Sequence, residues 1–213
     1  MKTLLTAVGV ALVIGVLPAS AEMTLEGIGE VGGGIFFPTG ADGDASGTSP
    51  ALHLNAVVGF SPHWGMEVEY GWVPIQMKTE AFFPATPDAF HIDASQKTAL
   101  AGFRVTSGHL LDASGPVVGY GSLRAGFARL KIETNDVLGG DGWIARDRSL
   151  PSVQSAASEV GFVLSPKAGV MFRLGERSAL DIALQQVSIF DQGEVNSHVY
   201  LTVSFAMAAW QRF

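Results

Sequence analysis

The chain has 213 residues, 47% of them hydrophobic and 15% charged, with 26 Gly, no Cys and a formal net charge of −7. Without Cys there is no disulfide framework, no thiolate metal site and no cysteine nucleophile. The acidic balance excludes a nucleic-acid-binding role, which needs a basic face.

The N-terminus opens on Met1-Lys2-Thr3, a short positive region, followed by a continuous apolar run over 4–17. Pro18-Ala19-Ser20-Ala21 then supplies a small-x-small cleavage site before Glu22. The run is shorter than the roughly 20 residues that a spanning helix needs. Residues 1–21 are therefore expected to be a cleaved signal peptide and 22–213 a single domain beyond the inner membrane. No Cys stands at the cleavage site, so no lipoprotein anchor is expected.

From there the chain alternates. Successive side chains of a strand point to opposite faces, so an apolar–polar alternation marks a strand with two unlike faces. The first segment, 25–37, sets Leu25, Val31, Ile35 and Phe37 against Glu26 and Glu30. The second, 51–60, sets Leu52, Leu54, Ala56, Val58 and Phe60 against His53 and Asn55. In the third, Trp64, Met66, Val68, Tyr70 and Trp72 alternate with Gly65, Glu67, Glu69 and Gly71. The fourth, 98–106, sets Ala99, Ala101, Phe103 and Val105 against Thr98 and Arg104.

The fifth, 117–133, sets Val117, Leu123, Ala125 and Phe127 against Ser122 and Arg124. Arg129 and Lys131 then fall on the apolar parity, which predicts a bulge or emergence from the membrane. The sixth, 159–174, sets Ala168, Val170, Phe172 and Leu174 against Lys167, Gly169 and Arg173. The seventh, 179–190, sets Leu180, Ile182, Leu184 and Phe190 against Asp181 and Gln185. The eighth, 198–213, places Leu201, Val203, Phe205, Met207 and Ala209 opposite Thr202, Ser204, Ala206, Ala208 and Trp210.

Eight segments of about 10 residues match the 9–11 of a tilted membrane-spanning strand. Their connections alternate in length. Residues 61–63, 107–115 and 175–177 are short; 38–49, 78–95 and 134–158 are long and rich in Pro, Gly, Asp and Ser, with 191–197 the shortest on that side. Short turns on one rim and long loops on the other are the pattern of a transmembrane barrel, apolar face to lipid and polar face to the lumen. The aromatics fit two girdles: Phe60, Trp64 and Phe213 at the short-turn rim, Phe37, Tyr70, Trp72 and Phe190 towards the other. The expected fold is all-β, an up-and-down antiparallel barrel of eight strands with a filled lumen.

With this pattern and a terminal aromatic, Phe213, the chain resembles the small eight-stranded outer-membrane barrels, the OmpA transmembrane-domain, OmpX and opacity-protein group. The resemblance implies a Gram-negative outer-membrane location, contact with outer-membrane lipid and lipopolysaccharide, and recognition of Phe213 by the barrel assembly machinery. It also implies a structural or surface-interaction role. A narrow channel and a lipid-modifying enzyme are the alternatives.

The inward parity carries Glu26, Glu30, Glu67, Glu69 and Asp181 against Arg104, Arg124, Lys167 and Arg173. Eight strands leave room only for side chains, and lone charges there would cost several kcal/mol each. They are expected to pair as a structural plug, Arg124 with Glu67 or Glu69. For an enzyme, a His would have to sit near a Ser nucleophile with an acid behind it. None of His53, His63, His91, His109 and His198 has Ser two residues on, the spacing that shares a strand face. Ser197 and His198 are adjacent and point apart. No catalytic residue is expected.

Asp42-Gly43-Asp44-Ala45-Ser46-Gly47 resembles the first half of a calcium loop, but His53 replaces the acid at its twelfth position and helix flanks are missing. It reads as a turn. Gly139-Gly140-Asp141-Gly142 lacks the Lys of a phosphate loop, so no cofactor or metal is expected. The long loops are acidic: Asp42 and Asp44, then Glu80, Asp88 and Asp93, then Asp191 and Glu194. Only the third mixes Arg146 and Arg148 with Asp136, Asp141 and Asp147. Loops on a rigid scaffold are the natural place for an extracellular ligand.

Overall fold

The computed structural model describes residues 25–39, 46–61, 63–77, 90–108, 116–136, 156–191 and 194–212. The expected signal peptide, Asp42, Asp44, the Gly139–Gly142 run, most of the third loop and Phe213 lie outside them. Eight strands follow in chain order: β1 (Leu25–Pro38), β2 (Ser49–Gly59), β3 (Trp64–Gln76), β4 (Phe90–Thr106), β5 (Val117–Asp136), β6 (Ala156–Arg173), β7 (Ser178–Asp191) and β8 (Glu194–Arg212). Each pairs antiparallel with the next, and β8 pairs with β1. The sheet is a closed barrel with no free edge, so every ladder N–H and C=O has a neighbouring strand to bond.

The register sets the shape. One chain of paired residues runs once around the wall: Glu26, Gly59, Gly65, Arg104, Ser122, Lys167, Gln185, Tyr200 and back to Phe36. It starts at Glu26 and returns to β1 ten residues further on. For eight strands at standard spacing, that stagger requires a tilt of about 40° and a backbone radius of about 8 Å. Each residue along a strand then rises about 2.5 Å through the membrane. Side chains pointing inward meet at the axis.

Four segments run differently from the reading of the sequence. Strand β4 starts at Phe90 and β5 reaches Asp136, because their pairing continues unbroken from Phe90↔Asp136 to Thr106↔Tyr120. Asp93 and Asp136 are thus strand residues, not loop residues. The connection assigned to 191–197 is mostly ladder, since Asp191 pairs with Glu194 and Ser188 with Ser197. No bulge occurs at Arg129: the β5 registers with β4 and β6 are continuous there, and the strand simply carries charge once past the apolar band. The slip lies instead in β8, where Gly27 pairs with Trp210 but Ile28 with Ala208. Ala209 has no partner on β1, so the simple alternation read through to the C-terminus is interrupted there.

Burial is inverted relative to a soluble sheet. Val31, Leu52, Leu54, Val68, Phe103, Leu123, Phe127, Val160 and Leu184 are all more than half exposed, whereas Arg104, Arg124, Glu67 and Asp181 are at most 1% exposed. An exterior of this kind in water would present far more contiguous apolar surface than soluble proteins tolerate. It is a lipid-facing wall. On β5 its apolar stretch runs from Val117 to Phe127, about 25 Å along the membrane normal at the tilt above, the height of a barrel's lipid band.

Candidate functional site

The lumen is packed in three layers, and β1, β5 and β6 each contribute to all three. On β1 these are Ile28, Glu30 and Phe36; on β5 Tyr120, Arg124 and Ala128; on β6 Met171, Lys167 and Val163. The layer at the short-turn end joins Ile28, Val57, Val118, Tyr120, Met171, Ala179, Ala183 and Ala206. The opposite layer joins Phe36, Val73, Ile75, Leu100, Val163, Val187 and Tyr200 with smaller residues. Between them lie the charges.

Two guanidinium groups organise that middle layer. Arg104 Nη1 is 2.7 Å from Glu30 Oε1, while its Nε and Nη2 reach Glu67 Oε2 at 2.8 and 2.7 Å. Arg124 Nη1 donates to Glu69 Oε2 at 2.6 Å and Nη2 to Ser165 Oγ at 3.0 Å. Its Nε lies 3.2 Å from Glu67 Oε1, at ion-pair distance but without hydrogen-bond alignment. Lys167 Nζ is 3.4 Å from Glu69, which also accepts from Gln185 at 3.2 Å. Asn55 donates to Glu30 at 2.7 Å. Three cations thus face three carboxylates, and no ion in this cluster lies far from an opposite charge. The forked, planar guanidinium is the group that can serve two carboxylates at once.

Asp181 stands beside this cluster and is held differently. Tyr120 Oη donates to Asp181 Oδ2 at 2.8 Å, and Arg104 stacks over the Tyr120 ring at 4.1 Å from its centroid. Gly169, paired with Tyr120, makes this possible, because a Cβ there would come within 2.6 Å of Tyr120 Cζ. Tyr120→Phe should therefore leave a fully buried carboxylate without its hydrogen bond and cost about 1–3 kcal/mol, read as a lower urea midpoint in lipid vesicles. An unchanged midpoint would mean that Asp181 is satisfied by other groups.

Glu26 is buried near the short-turn end, and Arg173 is half-buried at the end of β6, both apart from the central cluster. The aromatics divide as follows. Trp64 is exposed and Phe60 half-buried at one rim, while Phe37, Tyr70, Trp72 and Phe190 are exposed towards the other. Phe127 and Phe162 extend that outer set, their rings 6.3 Å apart, with Phe190 6.2 Å beyond. The girdles read from the sequence left these two out, although Phe127 was placed on the apolar parity of its strand and Phe162 shares that of Val160 and Leu164. Reading the sequence also missed Tyr120, Ser165, Gln96 and Tyr200, whose inward parity was the available signal. Gln96 Nε2 donates to Tyr200 Oη at 3.0 Å below the outer mouth.

One juxtaposition could not be read from strand spacing. His53 Nε2 and Ser204 Oγ, on β2 and β8, share a 2.7 Å hydrogen bond across β1. They meet over Gly32, which pairs with both and has no side chain to separate them. Both are buried, and His53 Nδ1 has no hydrogen-bond partner. The pair therefore lacks the acid that would orient a catalytic His. A cavity of about 230 Å³ lies above this level, lined by Phe36, Ile75, Leu130, Ile132, Ile189 and His198 among others. Two further spaces of about 20 Å³ each hold room for roughly one water.

A closed wall, an apolar exterior and an ionic interior together define a transmembrane β-barrel of the outer-membrane type. No protein-family model and no curated protein sequence matches the chain. Solved structures do. Neisserial surface protein A is similar over 86% of this chain and 96% of its own, with 14% identity and a TM-score of 0.56. The outer membrane protein OprG from Pseudomonas aeruginosa is similar over 87% and 96%, with 14% identity and a TM-score of 0.53. A major outer membrane protein from Thermus thermophilus is similar over 85% and 99%, with 11% identity and a TM-score of 0.56. At such identities the likeness is one of fold, the small outer-membrane barrel.

Proposed function

We propose that the protein is a non-conducting outer-membrane barrel with a structural or surface-interaction role, exercised at the long-loop rim rather than through the lumen. The ionic plug carries this reading. Arg104, Arg124, Lys167, Glu30, Glu67 and Glu69 fill the cross-section with contacts of 3.4 Å or less, and apolar layers close it above and below. Opening a path would strand several charges at once, at several kcal/mol for each ion. The same closure counts against catalysis at His53 and Ser204, which lie below the apolar mouth with no route for a lipid substrate. A similar structure named as a surface protein is in keeping with work done at the outer face.

Planar bilayers test the proposal. Purified barrel should insert without steady unitary conductance, and replacing residues 78–89 and 137–155 by short turns should leave it folded and still silent. Reproducible channels that survive the loop replacement would overturn the plug and favour a narrow pore.

A further inference from the structure

Above the ionic plug lies the cavity of about 230 Å³, walled by Phe36, Ile75, Met77, Leu130, Ile132 and Ile189. It is widened where Ala128 and Gly161, which also line it, pair across β5 and β6 with almost no side chain. Its floor is shut: Phe36 and Val163 are at most 1% exposed, and Gln96 on β4 donates to Tyr200 on β8. On β5 the lining runs from Ala128 to Ile132, about 10 Å along the normal at the barrel's tilt. Ala128 follows Phe127, the top of the lipid-facing stretch of that strand. The cavity therefore lies above the hydrocarbon, on the long-loop side.

An apolar cavity of about 150 Å³ stays dry and takes up benzene, so this larger one has room for a fused bicyclic ring or a chain of similar bulk. Water there finds few partners and is displaced with a gain by an apolar group. One side chain sets the charge. Among the described residues that line the cavity, Glu159 is the one Asp, Glu, Lys or Arg. It stands exposed on β6, four residues above the buried Val163, and makes no hydrogen bond or ion pair with the described residues. The cations nearest to it in register, Arg129 and Lys131, are exposed on the outward parity of β5. Asp136, Asp191 and Glu194 hold strand ends around the mouth, in a chain of net charge −7. Such a field repels an anionic guest and draws in a cationic one.

We infer that the mouth cavity binds a small apolar amine, its hydrocarbon body against Phe36, Ile75, Leu130, Ile132 and Ile189 and its ammonium at the Glu159 carboxylate. Asn196, half-buried in the same lining, offers a further polar contact. The inference rests on the surface-interaction reading and gives it a ligand class. Because the floor is closed, the cavity is a blind binding site and not a stage of transport.

Equilibrium dialysis against the barrel in phosphatidylcholine nanodiscs tests the site, with naphthylmethylamine as probe and naphthalenemethanol as its uncharged counterpart. The native chain should bind the amine saturably and about two- to fivefold tighter than the alcohol at low salt, and the margin should shrink as salt is raised. Ile132→Trp should abolish saturable binding by filling the cavity from above, and Ala128→Leu should weaken it from below. Heat-modified gel mobility checks that each variant is folded. Glu159→Gln should bind amine and alcohol alike, and Glu159→Asp should keep the preference. Uptake that is the same in the native chain and in both filled variants, as for simple partition into lipid, would overturn the site. So would an amine preference that survives Glu159→Gln. Saturable binding seen only after residues 137–155 are replaced by a short turn would make the chain's own loop the occupant and overturn the proposal. Steady conductance from a barrel that still binds the amine would instead overturn the closed lumen and leave the site standing.

Discussion

Arg104→Met should unfold the barrel at markedly lower urea than the native chain, with a loss of about 3–5 kcal/mol. Arg104 holds Glu30 on one side and Glu67 on the other, and all three are buried. Glu67 keeps Arg124 at 3.2 Å after the substitution, but Glu30 keeps only the neutral amide of Asn55 as a direct contact. Most of the expected loss is thus the cost of a buried carboxylate left without its counter-ion. Adding Glu30→Gln should recover a substantial part of it, because the pair is then removed together and the amide can still be hydrogen-bonded. Tryptophan fluorescence during urea unfolding in lipid vesicles would give both midpoints. If the double substitution were as damaging as the single one, Arg104 would act through shape and its contact with the Tyr120 ring rather than through charge.

Gly102→Val should be nearly as damaging, for a steric reason. Gly102 pairs with Arg124, and a Cβ at this position would run into the Leu123 carbonyl oxygen and come within 2.6 Å of Arg124 Cα. Those are backbone atoms, so relief requires β4 and β5 to part at the residue whose side chain holds Glu69 and Ser165. Overpacking of this kind costs about 1–3 kcal/mol, before any loss of the Arg124 contacts. Gly29→Val supplies the contrast. Gly29 is exposed on the lipid side with nothing within 4 Å of a Cβ, and a β-branched apolar side chain suits a strand there. The expected outcome is a neutral or slightly raised midpoint. Equal effects of the two substitutions would show that flexibility of glycine, not the space at Gly102, governs both.

Strand identity and lumen-facing charge were legible because parity is a local property. Glu67 and Glu69 declare their face by alternating with Val68 and Tyr70, whatever the rest of the chain does. The outward stretch from Val117 to Phe127 similarly carries its own length, and with it the thickness of the layer it crosses. The ends of β4 and β7 were harder. Phe90–Ser95 follows a Pro-containing stretch, and Asp191 and Glu194 flank a turn-like one, but a neighbouring strand offers the backbone of these residues a ladder, and the ladder outweighs the weak local preference.

By itself the sequence determined eight alternating segments, an inverted burial and a set of charges that had to be paired. Which charges meet was decided only by closure of the barrel. Glu30 and Arg104 are 74 residues apart and come together because the wall's ten-residue stagger brings inward positions of β1 and β4 to similar depth. Closure of β8 on β1 likewise lets His53 reach Ser204 over Gly32, which pairs with both. Parity follows from one strand's own geometry, whereas stagger is a property of all eight pairings together. A one-residue slip in any of them would exchange the faces.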